Sequence, residues 1–297
     1  MAVYEYAQTF QSQLVALYGQ ELTSHELFNS NLGINIVGAK TLRIPKITTS
    51  GYKDHNRQGG GFNAGTLTNG YETKELDHDR DVEFVIDPMD IDETNQALSI
   101  ANIKSTFERT QAIPELDSYT YSKLYAEGQR VGATIDTDAL TTENILGKLD
   151  NAMASFAEAG VDLSRCILYV TPQVNKLLKN AEGIQRYLEV NKANGIDRQV
   201  YSIDNIKHIQ EVPSTRLKTA YNFTDGCVPA ADAKQINFIL VDPGAQVSRV
   251  KHAFVKVYTP GHDSRTADNY LYQERKYNGT FGIDVMLKDA FYASVQG

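Results

Sequence analysis

The chain has 297 residues, 41% of them apolar and 22% charged, with a formal net charge of −8 and two cysteines. That length allows one large domain or two ordinary ones with a substantial core. No uninterrupted apolar stretch reaches the roughly 20 residues of a membrane-spanning helix, and the acidic balance argues against a protein whose task is to neutralise DNA phosphates.

The opening MAVYEYAQTFQSQL has neither the basic start nor the apolar core of a secretory signal, and reads as a mature N-terminus of a protein made in the cytosol. Residues 1 to 30 carry a loose helical pattern (Phe10, Leu14, Leu17, Tyr18) and then polar text, which reads as an arm. TLRIPKI, 41 to 47, alternates like a strand, with Pro45 at an edge or irregular position. A glycine-rich tongue follows, KDHNRQGGGFNAGTLTNGYET, before alternation returns in YETKELDHDRDVEFVID. The two runs predict long strands joined by a flexible tip. Residues 40 to 57 hold Lys40, Arg43, Lys46, Lys53 and Arg57 against Asp54, whereas 72 to 87 hold seven acids against Lys74 and Arg80. Opposite charge favours antiparallel pairing of these limbs.

Asp90, Asp92 and Glu93 suit a helix start, and Ala97, Ile100, Ala101, Ile103 and Phe107 predict a helix over about 92–110. Pro114 suits a first turn, so IPELDSYTYSKLYAEGQR is expected to be a second helix ending near Gly128, with Leu116, Tyr119, Lys123 and Leu124 in one stripe. A third runs from Thr142 to about Ala159, placing Ile145, Leu146, Leu149, Met153 and Phe156 inward and Gly160 as its stop. RCILYVTPQVNKLLKN predicts a buried strand, Thr171 as N-cap and Pro172 at the first helical position. The closing part is strand-rich (INFILVD, AFVKVYT, YLYQERKYNGTFGIDVML), with Asn278-Gly279 as a hairpin turn.

Chemistry-bearing patterns are sparse. Gly59, Gly61 and Ala64 match G-x-G-x-x-G/A, but no buried strand precedes them and no helix opens there. Asp77, Asp79 and Asp81 alternate as in a calcium loop, yet the glycine and glutamate such a loop needs are replaced by Val82 and Pro88; a solvated or partner-facing acidic edge fits better. The six histidines form no H-E-x-x-H or H-x-H pair, and Cys166 and Cys227 give neither a disulfide framework nor a cysteine-built zinc site. The His262 to Arg265 run reads as a loop, since a catalytic triad converges from separate elements. Seventeen tyrosines, among them Tyr119, Tyr121, Tyr125, Tyr258, Tyr270, Tyr272 and Tyr277, suit protein interfaces and ordinary cores equally.

An arm, a long tongue, a long tyrosine-bearing helix, an inserted α/β region and a return to long strands follow one another along the chain. With the phrases DRDVEFVIDPMDIDETN, IPELDSYTYSKL, LYVTPQVNKLL, EVPSTRL and YLYQERKYNGTFGIDV, this order resembles the major capsid proteins of tailed bacteriophages with the Hong Kong 97 fold, in the branch from phages of Gram-positive hosts. The resemblance implies an α+β fold with an N-terminal arm (1–35), an E-loop hairpin (36–82) and a peripheral domain carrying a long spine helix (83–135 and 250–297). An axial domain (136–249) is inserted into it. It implies a structural head protein that self-assembles into an icosahedral shell around double-stranded DNA, with no catalytic residues, cofactor or metal. Implied partners are copies of itself in hexamers and pentamers, a separate scaffolding protein, a portal and a decoration protein. The resemblance further implies no membrane, no sequence-specific DNA binding, and a location in the virion after assembly in the host bacterial cytoplasm.

Under this resemblance the candidate assembly contacts are Arg43, Lys46, Lys53, Arg57, Gly59, Gly60, Gly61, Phe62, Asp77, Asp79, Arg80 and Asp81, and the glycines at 51, 59 to 61, 65 and 70 serve as hinges. Some relatives join an E-loop lysine covalently to a neighbour's asparagine. Lys46, Lys53 and Lys74 are available, but nothing identifies the receiving asparagine or an assisting acid, and no cross-link is expected. The alternative readings are a metal-dependent enzyme with a glycine-rich lid and another virion component such as a tail-tube protein.

Overall fold

The computed structural model describes residues 22–28, 36–37, 41–55, 62–89, 100–181, 189–191, 195–197, 203, 205–261 and 268–297. The expected arm helix around Phe10, Leu14, Leu17 and Tyr18 lies outside the described residues. So do Lys40, the tip residues Arg57, Gly59, Gly60 and Gly61, the acids Asp90, Asp92 and Glu93, and the His262 to Arg265 run.

The architecture mixes helices with sheets. Its centre is a five-stranded sheet in the spatial order Thr134–Asp136, Phe291–Val295, Ile236–Val241, Ile167–Val170, His208–Glu211, with antiparallel pairs in the middle and a parallel pair at each edge. Strands covered on both faces read as unbroken apolar runs, and Ile167–Val170 is buried at every residue. Successive side chains alternate between faces. Ile167 and Tyr169 therefore pack with Tyr121 and Leu124 of the long helix, while Leu168 and Val170 pack with Leu149, Phe156, Val174 and Leu178 of two other helices. The chain's last strand thus enters the sheet whose other central strands come from 136–249.

The helix Ile145–Glu158 buries Ile145, Leu149, Ala152, Met153 and Phe156, and Gly160 follows at φ 76°. Only a residue without Cβ adopts that conformation at little cost. Thr171 accepts the Val174 N–H at its side chain and Pro172 opens the helix Pro172–Asn180, as the sequence predicts.

A second sheet runs Gln246–Tyr258, Tyr270–Gly282, His78–Ile86, all antiparallel. It corrects two expectations. Asn278-Gly279 is no turn: both residues lie inside Tyr270–Gly282, opposite Val250 and Arg249. A Cβ on Gly279 would come within 2.5 Å of the Leu76 side chain and 2.9 Å of the Phe281 ring, so this glycine serves close packing. The long acidic limb is also not one strand. Leu67–Glu75 pairs with Thr41–Thr49, whereas His78–Ile86 leaves for the second sheet. The basic limb does pair antiparallel with the start of the acidic limb, Thr41 to Ile44 against Glu75 to Glu72, but opposite charges do not face each other, because Arg43 stands opposite Thr73 and Lys46 opposite Gly70. Asp79 instead meets Arg275 (Nε to Oδ1, 2.9 Å).

The third correction concerns the helices. Ile100–Phe107 and Ile113–Val131 are one continuous helix, joined through a π-helical turn at Glu108–Ala112 in which the Ile113 N–H reaches the Glu108 carbonyl. Pro114 carries no N–H, and in a regular helix its ring would strike the carbonyl four residues back; the wider turn accommodates it without a break. The helix passes Gly128 and stops at Gly132, φ 74°. Gly128 is needed for another reason, since a Cβ there would lie 2.5 Å from the Phe291 ring.

The long helix also captures the described part of the N-terminal segment. Asp117, fully buried, accepts from the Ser24 N–H and hydroxyl (3.0 and 2.7 Å), from the Thr23 hydroxyl (2.8 Å) and from Arg216 (3.0 Å). Tyr121 donates to the Thr23 hydroxyl, and Leu27 enters the main core. One carboxylate thus caps the short helix His25–Phe28 and ties it to the long helix and to Ser214–Arg216. Asp117→Ala leaves Arg216 and the 23–24 amides without their acceptor and is expected to lower unfolding free energy by about 3 to 5 kcal/mol. Denaturant titration at unchanged slope measures this. A loss below about 1 kcal/mol would show that apolar contacts alone hold residues 22–28.

Candidate functional site

The hairpin Thr41–Thr49 with Leu67–Glu75 leaves the body of the subunit, and its register decides what it offers. Directly opposed residues of an antiparallel pair project to the same face. On the inner face, Leu42 and Ile44 are buried with Leu76, Val247, Tyr277 and Phe281, which roots the hairpin in a small core. On the outer face, Ile47 (66% exposed), Leu67 (71%) and Tyr71 (66%) form an apolar row in solvent. Arg43 joins that outer face at the root; Lys46 is exposed on the inner face, beyond the buried pair.

Beyond the paired strands, the described residues 50–54 stay bonded to 63–66. Ser50 N–H donates to the Thr66 carbonyl (2.9 Å), Lys53 to the Ala64 carbonyl (3.1 Å) and the Asn63 amide to the Asp54 carbonyl (2.7 Å). Tyr52 and Phe62 stand fully exposed there, the latter 6.2 Å from the His55 ring. Gly51, Gly65 and Gly70 do not adopt left-handed backbone, and a Cβ on Gly51 or Gly70 would meet nothing within 4 Å.

An ionic network fixes the hairpin root. Lys74 lies 2.7 Å from Glu72, 3.3 Å from Glu127 on the long helix and 3.1 Å from Asp284. Arg130 bridges Glu127 (2.8 Å) and Asp284, and Glu127 accepts the Gly282 N–H. Burial would lower the Lys74 ammonium, but its bonds to Glu72 and Asp284 outweigh that and hold it above the ordinary lysine range. Burial raises the Glu72 carboxyl, whereas Arg130 holds Asp284 well below the usual carboxylate range. Nothing local in the sequence marks this network, whose members come from 72–74, 127–130 and 284.

Of the remaining predicted contacts, Asp77 and Arg80 are bonded within their own chain. Asp77 accepts from Lys123 and Tyr119. Burial would raise it, but these two partners outweigh burial and lower it. Arg80 bonds Glu115 (2.6 Å) and the carbonyl of Phe223, and His78 stacks on Tyr119 at 4.0 Å. Asp79 and Asp81 are exposed, on the sheet face that carries Arg275. The structure therefore places Arg43, Lys46, Lys53 and Phe62 on the hairpin and Asp77 to Asp81 on a separate surface.

Among the described residues no three His, Cys, Asp or Glu side chains are grouped to hold a metal ion, and no helix is long and apolar enough to cross a membrane. Burial pushes the Cys166 thiol up to about 12 and raises that of Cys227, the reverse of an activated nucleophile.

Leu42→Ala is expected to lower subunit stability by about 2 to 4 kcal/mol, and Tyr71→Ala or Ile47→Ala to change it by less than about 0.5 kcal/mol, read by thermal or denaturant melting of the free subunit. Equal losses at Tyr71 and Leu42 would place the outer face in the subunit's own core.

No protein-family model and no curated protein matches the chain. Solved structures do. The chain is similar to the capsid structure of cyanophage P-SCSP1u, with a TM-score of 0.65 at 12% identity over 89% of this chain and 85% of that one. It is similar to the mature capsid asymmetric unit of bacteriophage PhiM1, with a TM-score of 0.62 at 14% identity over 87% and 82%. Against a chain of Gordonia phage Cozz the TM-score is 0.61 at 16% identity, over 94% and 87%. An inner face rooted in the core, an outer face left apolar and a match spanning most of both chains lead to one statement: the chain has the fold found in phage capsids.

Proposed function

We propose that this chain is the major capsid protein of a tailed bacteriophage, many copies of which close into an icosahedral shell around double-stranded DNA without a catalytic step. The observation that carries the reading is the fold match to phage capsid structures over most of both chains. The hairpin supplies a mechanism for assembly. In this reading it is the E-loop, and its outer row is covered by a neighbouring copy. Burying Ile47, Leu67 and Tyr71 contributes roughly 1.5 to 3 kcal/mol for each side chain, offsetting the entropy lost when the tip is ordered. Contacts of this head-to-tail kind generate closed rings when the rotation closes, which suits hexamers and pentamers.

The finer assignments belong to the same reading. Residues 1–35 are the N-terminal arm, 83–135 and 250–297 the peripheral domain, and 136–249 the axial domain meeting its copies at the symmetry axes. Arg43, Lys46, Lys53, Arg57 and Phe62 act at the neighbour contact, with the glycines at 59 to 61 at the tip. A separate scaffolding protein, a portal and a decoration protein complete the head. A net charge of −8 suits a wall that encloses DNA without gripping it.

Electron micrographs of the purified protein are expected to show closed shells or rings, supplied with scaffolding protein where needed. Ile47→Asp with Tyr71→Asp is expected to abolish them while leaving the subunit's melting temperature unchanged. Long hollow cylinders of uniform bore, as of a tail tube, would overturn the reading. Limited proteolysis of the free subunit is expected to cut first between Gly51 and Gly70, and assembly to protect that region. Equal cleavage in both states would remove the hairpin from the contact.

A further inference from the structure

Beyond its paired strands the hairpin carries two rings that stand in water. Tyr52 and Phe62 are fully exposed, although the backbone around them is bonded from one limb to the other. Aromatic side chains held out in this way are the usual anchors of protein contacts. The nine paired residues of each strand, at about 3.3 Å per residue, hold these rings about 30 Å from the hairpin root. The body to which the hairpin is anchored therefore lies out of their reach, and the body of another copy is the surface available to them.

That body carries a cleft of about 630 Å³, a size that takes a sizeable occupant. It opens between the π-turn of the long helix, the second sheet and residues 224–226. Leu22, Phe28, Val82, Phe107 and Val250 give it apolar walls, and Val250 is 47% exposed, so the wall has no cover there. Much of its polar lining is bonded within the chain: Lys276 to Glu108 and Glu274, and Arg80 and His78 to Glu115. Asn278 differs. It lines the cleft at 3% exposure, and its Nδ2 donor has no acceptor among the described residues. A buried donor of this kind calls for a partner. Charge points the same way. Asp81 and Asp225, both exposed, are among the lining residues, whereas residues 46–67 carry Lys46, Lys53 and Arg57 against Asp54.

We propose that Tyr52 of one copy enters this cleft on the next copy, its hydroxyl accepting from Asn278 Nδ2, with Phe62 against the apolar rim and Lys53 beside Asp225. Tyrosine suits the site because its ring matches the apolar walls while its hydroxyl reaches the polar depth. The inference rests on the shell reading and adds to it the surface that receives the hairpin.

The test assembles a mixture of Tyr52→Cys and Ala253→Cys subunits, Ala253 being an exposed residue of the cleft, and oxidises the particles. A disulfide joining the two variants is expected, identified by peptide mass spectrometry of the dimer band on a non-reducing gel. Particles without that disulfide would overturn the inference and leave the shell reading standing, whereas absence of particles from the unmodified protein would remove both. Dimers from Tyr52→Cys alone would set hairpin against hairpin and overturn it. A disulfide between Leu17→Cys and Ala253→Cys in its place would give the cleft to the N-terminal segment. Should Tyr52→Cys not assemble, carbodiimide treatment of unmodified particles built from ¹⁴N and ¹⁵N subunits decides. A mixed-isotope peptide joining Lys53 to Asp81 or Asp225 supports the contact, and its absence refutes it.

Discussion

A helix buried on several sides must find a partner for every polar group it carries inward, because an unpaired polar group in a protein interior costs about 1 to 3 kcal/mol. The helix Ile113–Val131 is buried at Asp117, Ser118, Thr120, Ser122 and Glu127 as well as at Leu116, Tyr121 and Leu124. Each group that no neighbouring turn satisfies fixes another segment. Asp117 fixes the start of the described chain and Arg216; Tyr119 and Lys123 fix Asp77 at the entry to the second sheet; Glu127 fixes Lys74 at the hairpin root. Thr120 and Ser122 fix nothing, since they bond carbonyls of their own helix. The apolar side chains hold the helix in the core, and the polar ones set what is arranged around it.

The hairpin follows from the same constraint. Its root has apolar and ionic partners on the inner face, but the strands run on past the body, where no described element of the subunit covers Ile47, Leu67 or Tyr71. A two-stranded ribbon is marginal in water by itself. The root contacts therefore orient the hairpin without accounting for its outer row.

Elements whose signals are local were legible in the sequence: the helix ending at Gly160, the Thr171 cap with Pro172, and the buried ILYV strand each rest on residues a few positions apart. Errors arose where distant packing overrode local chemistry. Asn278-Gly279 has the composition of a turn, but the strands on either side and the space taken by Leu76 keep it extended. Pro114 has the composition of a helix start, but burial of Ile113 and Leu116 keeps the helix unbroken and a π-turn absorbs the conflict. Continuous alternation through 71–87 hid the point at Leu76, a buried residue, where one strand ends and the next joins another sheet. Of the site, the polar tongue and its root lysines were readable; the outer row emerged only from the register, and the Lys74 network only from the fold.

The two ionic clusters on the long helix differ in what they do. Glu108 and Glu127 lie 19 residues apart, about 30 Å along a helix. At the Glu127 end, Lys74 and Arg130 oppose Glu72, Glu127 and Asp284, an array open enough to remain ionised, in which cations and anions alternate. Partly exposed pairs of this kind add little to stability, but together they allow few relative positions of hairpin, helix and the 284 turn, so their effect is on orientation. At the Glu108 end the carboxyls are far more deeply buried, beside the buried ammonium groups of Lys276 and Lys104, and burial raises the Glu108 carboxyl against the pull of Lys276. One helix thus carries a partly exposed ionic fastening near the hairpin and, about five turns of helix away, a deeply buried one, the difference arising from how far each is removed from water.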